Sequence, residues 1–306
     1  MTDRIATFTQ TGQIISNNMR LQNAYAERQI QVSSGLKTRY FDGLAFDATR
    51  LLSLESDVKS IQQQTDNAQI ALDRVNLMFS VLSNLVTQTD AFLADLQATS
   101  SSLGITGQDL VNNAQTRLDQ FAGGLNTRVQ GRFLFAGSNT EIAPVDFAGT
   151  GWTGQFFVPP GPSVPDASYY TGNDYIQTVE AVEGFNIDYG VNADNPAFEQ
   201  IIRAYGLVIT DPNDLATAQE AYRVMQIGQE EMQILQAQLS QRAQALEQQI
   251  RDNEEEINII QEQVSRIRDV DIAEATTNLK QLETQLEASF TVTSALLNLK
   301  LSDYFR

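Results

Sequence analysis

A few groups of residues have types and spacings that suggest chemistry. Gly149-Thr150-Gly151-Trp152-Thr153-Gly154 has the G-x-G-x-x-G spacing of a dinucleotide-binding turn. Such a turn holds a pyrophosphate because a strand leads into it and a helix leads out, with the helix's positive end at the phosphates. Here Pro144 lies shortly before the glycines and residues 156–165 follow without a helical pattern, so a glycine-rich β-turn is expected. Glu254-Glu255-Glu256 has the charge for a divalent cation. Successive helical residues point in different directions, however, and this run flanks the apolar Ile257, which makes it a solvated charged face. Asp42 and Asp47 lack the alternating ligands and closing glutamate of a calcium loop, and a turn between helices is expected there. Trp152, Tyr169, Tyr170 and Tyr175 would suit a stacking platform for a flat ligand, but at this spacing they read first as core of a β-containing domain.

What the chain lacks narrows the chemistry further. It has no histidine and no cysteine, so a Ser-His-Asp arrangement, a thiolate nucleophile, an imidazole or thiolate metal site and a disulfide are all excluded. No phosphate loop or nucleophile elbow occurs. The formal net charge of -18 repels a phosphate backbone and an anionic bilayer, so neither nucleic acid nor membrane is expected as a partner. The first residues show no basic start, apolar run and small-residue cleavage site, and no apolar run is long enough to span a bilayer. No catalytic, cofactor-binding or metal-binding residue is assigned.

The elements around these groups are mostly helical. Over residues 51–96 apolar positions step by three and four: Leu51, Leu54, Val58, Ile61, Ala68, Leu72, Val75, Phe79, Leu82, Val86, Leu93 and Leu96, with Thr65 and Thr89 filling the register. That spacing predicts a coiled-coil seam about 70 Å long at about 1.5 Å per residue. A second seam runs through Leu215, Ala218, Tyr222, Met225, Met232, Leu239, Ala243, Leu246, Ile250, Ile257, Ile260, Val264 and Ile267. Polar Gln229, Gln236 and Asn253 sit at its register sites, and Asp211, with Pro212 behind it, is the predicted cap. A third helix is predicted over residues 108–130, although Gly123-Gly124 interrupts it.

Between residues 131 and 206 the pattern changes to short aromatic or β-branched runs broken by Gly, Pro, Asn and Asp, and all seven prolines lie from Pro144 to Pro212. The predicted fold is mainly α: an elongated antiparallel helical coiled-coil rod built from both chain ends (37–130 and 207–270), with an inserted small β-rich domain (131–206). The outermost segments, 1–36 and 271–306, differ from the seams. Ile5, Phe8, Ile15, Met19 and Ala26 keep heptad spacing, but Gly12 and Gln22 occupy seam positions and weaken the helix. Leu279, Leu282, Leu286, Phe290, Val292, Leu296, Leu297, Leu299 and Leu301 cover more than one face, which calls for burial on several sides. Both ends lack enough partners within one chain.

Three stretches resemble the flagellin superfamily. Ile-Gln-Val-Ser-Ser-Gly-Leu-Lys at residues 30–37 is similar to its helix-ending Ser-Gly signature, Gly-Arg-Phe-Leu-Phe-Ala-Gly-Ser-Asn-Thr at 131–140 to the hook-associated proteins of the FlgL type, and residues 281–305 to their C-terminal helix. The resemblance covers both helical flanks and the first edge of the insert; residues 40–47 depart from the family's Ser/Asp/Pro-rich loop. It implies a non-enzymatic, self-assembling structural subunit at the hook-filament junction of an extracellular flagellum, exported through the flagellar type III apparatus without a cleavable signal peptide. Implied partners are neighbouring copies, the other junction protein, flagellin and an export chaperone at the C-terminus. The expected assembly interface is Ile5, Phe8, Ile15, Met19, Leu286, Phe290, Leu296, Leu299, Leu301 and Tyr304. A filament flagellin is the neighbouring alternative, and an exported coiled-coil protein with a ligand-binding insert the alternative of another class.

Overall fold

The computed structural model describes residues 2–40, 47–101, 107–152, 154, 157–159, 161–182 and 184–304; within its helices, side chains are described from residue 12 at one end, to 97 in the second helix and to 295 at the other end. The protein is mainly helical, with α1 (Thr2–Ser34), α2 (Asp47–Ser101), α3 (Gly107–Leu125), α4 (Pro196–Thr210), α5 (Leu215–Arg268) and α6 (Ile272–Tyr304). Two separate antiparallel ribbons lie between α3 and α4: β1 (Arg128–Val129) with β2 (Arg132–Phe133), and β3 (Thr178–Val182) with β4 (Phe185–Asp188). The chain divides into two compact units, Ser60–Glu255 and the pair Met1–Lys59 with Glu256–Arg306.

The unit Ser60–Glu255 has a closed apolar core. Along α2 the heptad column Ala68, Val75, Leu82, Thr89, Leu96 is buried as the spacing predicts. The second column is displaced by one residue: Ala71, Met78, Leu85 and Phe92 are buried, whereas Phe79 is exposed and Val86 and Leu93 are half-buried. A helix that meets several neighbours needs a wider apolar stripe than a two-helix seam, and the displaced column serves those neighbours. Phe92 lies 4.9 Å from Tyr205 of α4, and Phe121 of α3 lies 6.2 Å from Phe198 and 6.3 Å from Tyr205, ring centre to ring centre. Tilted and edge-on rings at such separations add to plain area burial. Gly124 does not break α3, because the helix passes α2 closely there: a methyl group on Gly124 would stand 2.8 Å from Leu85 Cδ2.

The sequence reading of residues 131–206 as β-rich misses α4. Its signals are local and strong. Asn195 Oδ1 accepts from Ala197 N at 3.0 Å, Pro196 stands at the first helical position, and Phe198, Ile201, Ile202, Tyr205 and Val208 form one buried stripe. α3 stops at Leu125 and not at 130, because Gln130 and Gly131, with φ of 51° and 80°, form the two-residue corner between β1 and β2. The cap of α5 is Asp214 and not Asp211. Asp214 Oδ2 accepts from Thr217 N at 2.9 Å and from Thr217 Oγ1 at 2.8 Å, which lowers the Asp214 pKa, while Asp211 ends α4 by donating its N–H to Leu207 O at 3.1 Å. Leu215, expected in the seam, is consequently exposed on the first turn.

The proline-rich loop is held down by buried charge. Glu220 Oε1 accepts from Ser163 N at 2.9 Å and Ser163 Oγ at 2.8 Å, and Arg203 donates to Ser163 O at 2.9 Å while pairing with Glu199 at 3.2 Å. Hydrogen bonds from Arg223 hold the Glu220 carboxyl down at about 2, whereas burial pushes Glu199 above the ordinary carboxylate range. Asn253, a polar register site of the second seam, is buried and donates to Ala181 O of β3 at 3.2 Å. Gln229, another, donates to Asp90 of α2.

Candidate assembly interface

Among the described residues, none of the sequence patterns that suggested chemistry is arranged as a site. In the glycine-rich run, Asp146 Oδ1 accepts from Gly149 N at 2.8 Å, Thr150 Oγ1 donates to Asp146 O at 2.6 Å, and Gly151 has a φ of 73°. This is a side-chain-closed turn that seats Trp152 against Phe147, ring centres 4.7 Å apart, and none of the described residues that follow it up to 165 is helical. Tyr169 is fully buried, its hydroxyl donates to Ala193 O at 3.0 Å, and burial pushes its phenol well above the usual range. The four aromatics therefore form no common face: Tyr169 is core, Trp152 and Tyr170 are half-buried and Tyr175 is exposed. Glu254, Glu255 and Glu256 are exposed on α5, and no cluster of three potential metal ligands occurs among the described residues. Asp42 lies outside the described residues; Asp47 opens α2.

The terminal unit is built differently. Gly35, at a φ of 72°, ends α1 and returns its N–H to Gln31 O at 2.8 Å. The next residues clamp the end of α5. Leu36 bridges to Asp269, Lys37 N donates to Arg268 O at 2.8 Å, and Lys37 Nζ donates to Arg266 O at 2.5 Å and Ile267 O at 3.1 Å. The last carbonyls of α5, which no helical N–H can reach, are thus met by one lysine and its backbone. Ser265 donates to Asp269, and this bond, with Arg268 and Lys37 nearby, holds the Asp269 carboxyl below its usual value. Asp271 then caps α6, accepting at Oδ1 from Ala273 N at 2.9 Å and Glu274 N at 3.1 Å. The Ser-Gly-Leu-Lys signature is therefore a clasp between the ends of α1 and α5, and from it α1 and α6 lie antiparallel to each other.

Midway along that pair the hydrogen bonds are between polar side chains. Asn18 is buried and donates to Thr293 Oγ1 at 3.2 Å, while Ser289 Oγ donates to Asn18 Oδ1. Among the described side chains of α1 and α6, the buried ones are Asn18, Gln31 and Ala275, with no large apolar residue. Ile14, Leu21, Tyr25, Val32, Leu279 and Leu282 are half-buried, and other large apolar side chains remain outside: Ile15 is 50% exposed, Met19 54%, Phe290 49% and Val292 56%. Ile15, Met19 and Phe290 belong to the sequence-derived interface; Leu286, another member, is half-buried. The side chains of Ile5, Phe8, Leu296, Leu299, Leu301 and Tyr304 lie outside those described. Val292 and Ile272, 55% exposed, extend the unpartnered apolar surface. A count of apolar residues could have drawn attention to them; only burial separates them from core.

Comparison with known proteins agrees with the terminal motifs. Residues 228–305 match the bacterial flagellin C-terminal helical region. The fold is similar to that of a putative flagellar hook-associated protein from Vibrio parahaemolyticus, with 16% identity, a TM-score of 0.57 and coverage of 72% of this chain and 96% of that one. It is similar also to flagellar hook-associated protein-3 from Legionella pneumophila, with 13% identity, a TM-score of 0.57 and coverage of 70% of this chain and 98% of that one. No curated protein matches the chain. The resemblance of the C-terminal stretch to the flagellin superfamily is borne out over residues 228–305, the fold is similar to that of flagellar hook-associated proteins, and no helix among the described residues is long and apolar enough to cross a membrane.

Proposed function

We propose that this chain, whose last quarter is the flagellin C-terminal helical region, is a structural subunit of the bacterial flagellum at the hook-filament junction. The observation that carries the reading is the unfinished α1/α6 pair. Its apolar residues at heptad spacing, such as Leu21, Leu282 and Leu286, are only half-buried, polar Asn18 interrupts them, and Ile15, Met19, Phe290 and Val292 stay exposed, which leaves apolar surface for a partner. Neighbouring copies, the other junction protein and flagellin cover Ile15, Met19, Phe290 and Val292 in the assembly. Before assembly a chaperone shields the C-terminal helix during export from the cell. The subunit joins and templates; it performs no catalysis.

Deletion of the gene tests this role. Cells with intact hooks, no filaments and unpolymerised flagellin in the medium are expected. Filaments of normal length in the deletion strain would instead assign the chain to the filament as a redundant flagellin.

A further inference from the structure

Half-buried apolar side chains recur at heptad spacing on both helices of the pair: Ile14, Leu21, Tyr25 and Val32 on α1, and Leu279, Leu282 and Leu286 on α6. Such a repeat looks much the same after a slip of one heptad, so by itself it fixes the alignment weakly. The α1/α6 pair nevertheless has a defined alignment, and the residue buried midway along it is Asn18. Its amide uses both ends. Nδ2 donates to Thr293 Oγ1 at 3.2 Å, and Oδ1 accepts from Ser289 Oγ. Ser289 and Thr293 are one helical turn apart on the same face of α6, and Thr293 Oγ1 also donates to Ser289 O at 2.7 Å, which orients it toward Asn18.

We propose that Asn18, with Ser289 and Thr293, is the register lock of the terminal helix pair. The inference rests on the assembly reading of these helices, since its use is to present Ile15, Met19, Phe290 and Val292 to neighbours in one fixed arrangement. A slip of one heptad would place Asn18 opposite Leu282 and Leu286, which offer its amide no partner. Leaving a buried amide unpaired disfavours the slipped state by about tenfold or more. A leucine at position 18 would accept either register. Polar seam residues elsewhere have this effect, giving up stability for a single alignment.

The chain has no cysteine, so an introduced pair reports register without competing thiols. Seven residues on from Asn18 is Tyr25, and seven back from Thr293 is Leu286, both half-buried. The full-length free subunit carrying Tyr25→Cys with Leu286→Cys should therefore form the disulfide of the native register, and Tyr25→Cys with Leu279→Cys that of the slipped one. With Asn18 present, the native pair should close at least about ten times more completely than the slipped pair. Asn18→Leu, and separately Ser289→Ala with Thr293→Ala, should bring the two yields to within about twofold, while the melting of the Ser60–Glu255 unit stays unchanged. Equal yields with Asn18 in place, or a native preference that survives both sets of substitutions, would overturn the lock. Neither result bears on the deletion phenotype, which tests the junction role by itself.

Discussion

The two units of this chain treat the same raw material in opposite ways. Both are helical and both carry heptad-spaced apolar residues. In Ser60–Glu255, Phe92, Phe121, Phe198 and Tyr205 are each 0% exposed, and polar groups such as Asn253 and Arg203 enter the interior with hydrogen-bond partners. In α1 and α6, the described side chains that are fully buried are Asn18, Gln31 and Ala275; Leu21, Leu279, Leu282 and Leu286 are only half-buried, and Ile15, Met19, Phe290 and Val292 stay in solvent. The contrast teaches that a heptad pattern announces a need for burial and does not say who meets it. One unit meets it from within its own chain; in the assembly proposed for it, the terminal pair leaves part of it for another molecule.

Substitutions should separate the two units sharply. Phe198→Ala, at the meeting of α3 and α4, should lower the stability of the larger unit by about 3–5 kcal/mol in denaturant titration, since it removes a ring from a closed core. Arg203→Ala should cost about 3 kcal/mol, because Glu199 and the Ser163 carbonyl lose their partner where water does not reach. A loss below about 1 kcal/mol for either would mean that this unit is as open as the terminal pair.

Acid should loosen the anchored loop by steps of opposite sign. Glu220, held down at about 2, contributes stability that is complete above the ordinary glutamate range and is lost as pH falls from about 4.5 through about 2. Glu199, raised by burial, works the other way at higher pH: its protonation in the folded state adds stability as pH falls toward the ordinary value. Equilibrium unfolding followed from pH 7 to pH 2, with Glu220→Gln as the comparison, checks this; the variant should lack the loss at the acid end.

Smaller effects probe helix contacts. Gly123→Ala, in open space, should stabilise by up to about 1 kcal/mol, whereas Gly124→Ala should gain nothing because of Leu85. The smallest effect on the free chain belongs to the other unit. Ile15→Ser with Phe290→Ser should change its unfolding by less than about 0.5 kcal/mol, since both side chains are already half in water. The same double variant should lose co-sedimentation with flagellin polymer. A large loss of stability instead would show these residues to be internal core.

Much of this was legible in advance. The Ser-Gly helix end follows from the family resemblance, and one apolar column of α2, most of that of α5 and the absence of histidine and cysteine chemistry follow from residue types and spacing. So does the fate of the glycine-rich run, for which the sequence supplies no helix. What escaped has identifiable causes. Phe79 and Met78 are equally apolar neighbours, and which one is buried depends on where α2 meets other elements. Asp211 and Asp214 are both acceptable caps, and the choice followed from where α4 ends. α4 itself was hidden by its place at the end of a proline-containing stretch read as β-rich, although Pro196 at a first helical position promotes a start.

By itself the sequence determined that long helices form, that the chain ends carry more apolar surface than two weak helices can cover, and that no imidazole or thiol chemistry is available. These are properties of composition and period, which act locally. Only the tertiary structure decided that Lys37 closes the end of α5, that Asn18 meets Ser289 and Thr293 across 271 and 275 positions of chain, and that Ile15 and Phe290 stay exposed while Phe92 and Phe198 do not. Burial and long-range hydrogen bonds depend on which surfaces the chain reversals bring together, and residue spacing along the chain carries no record of that.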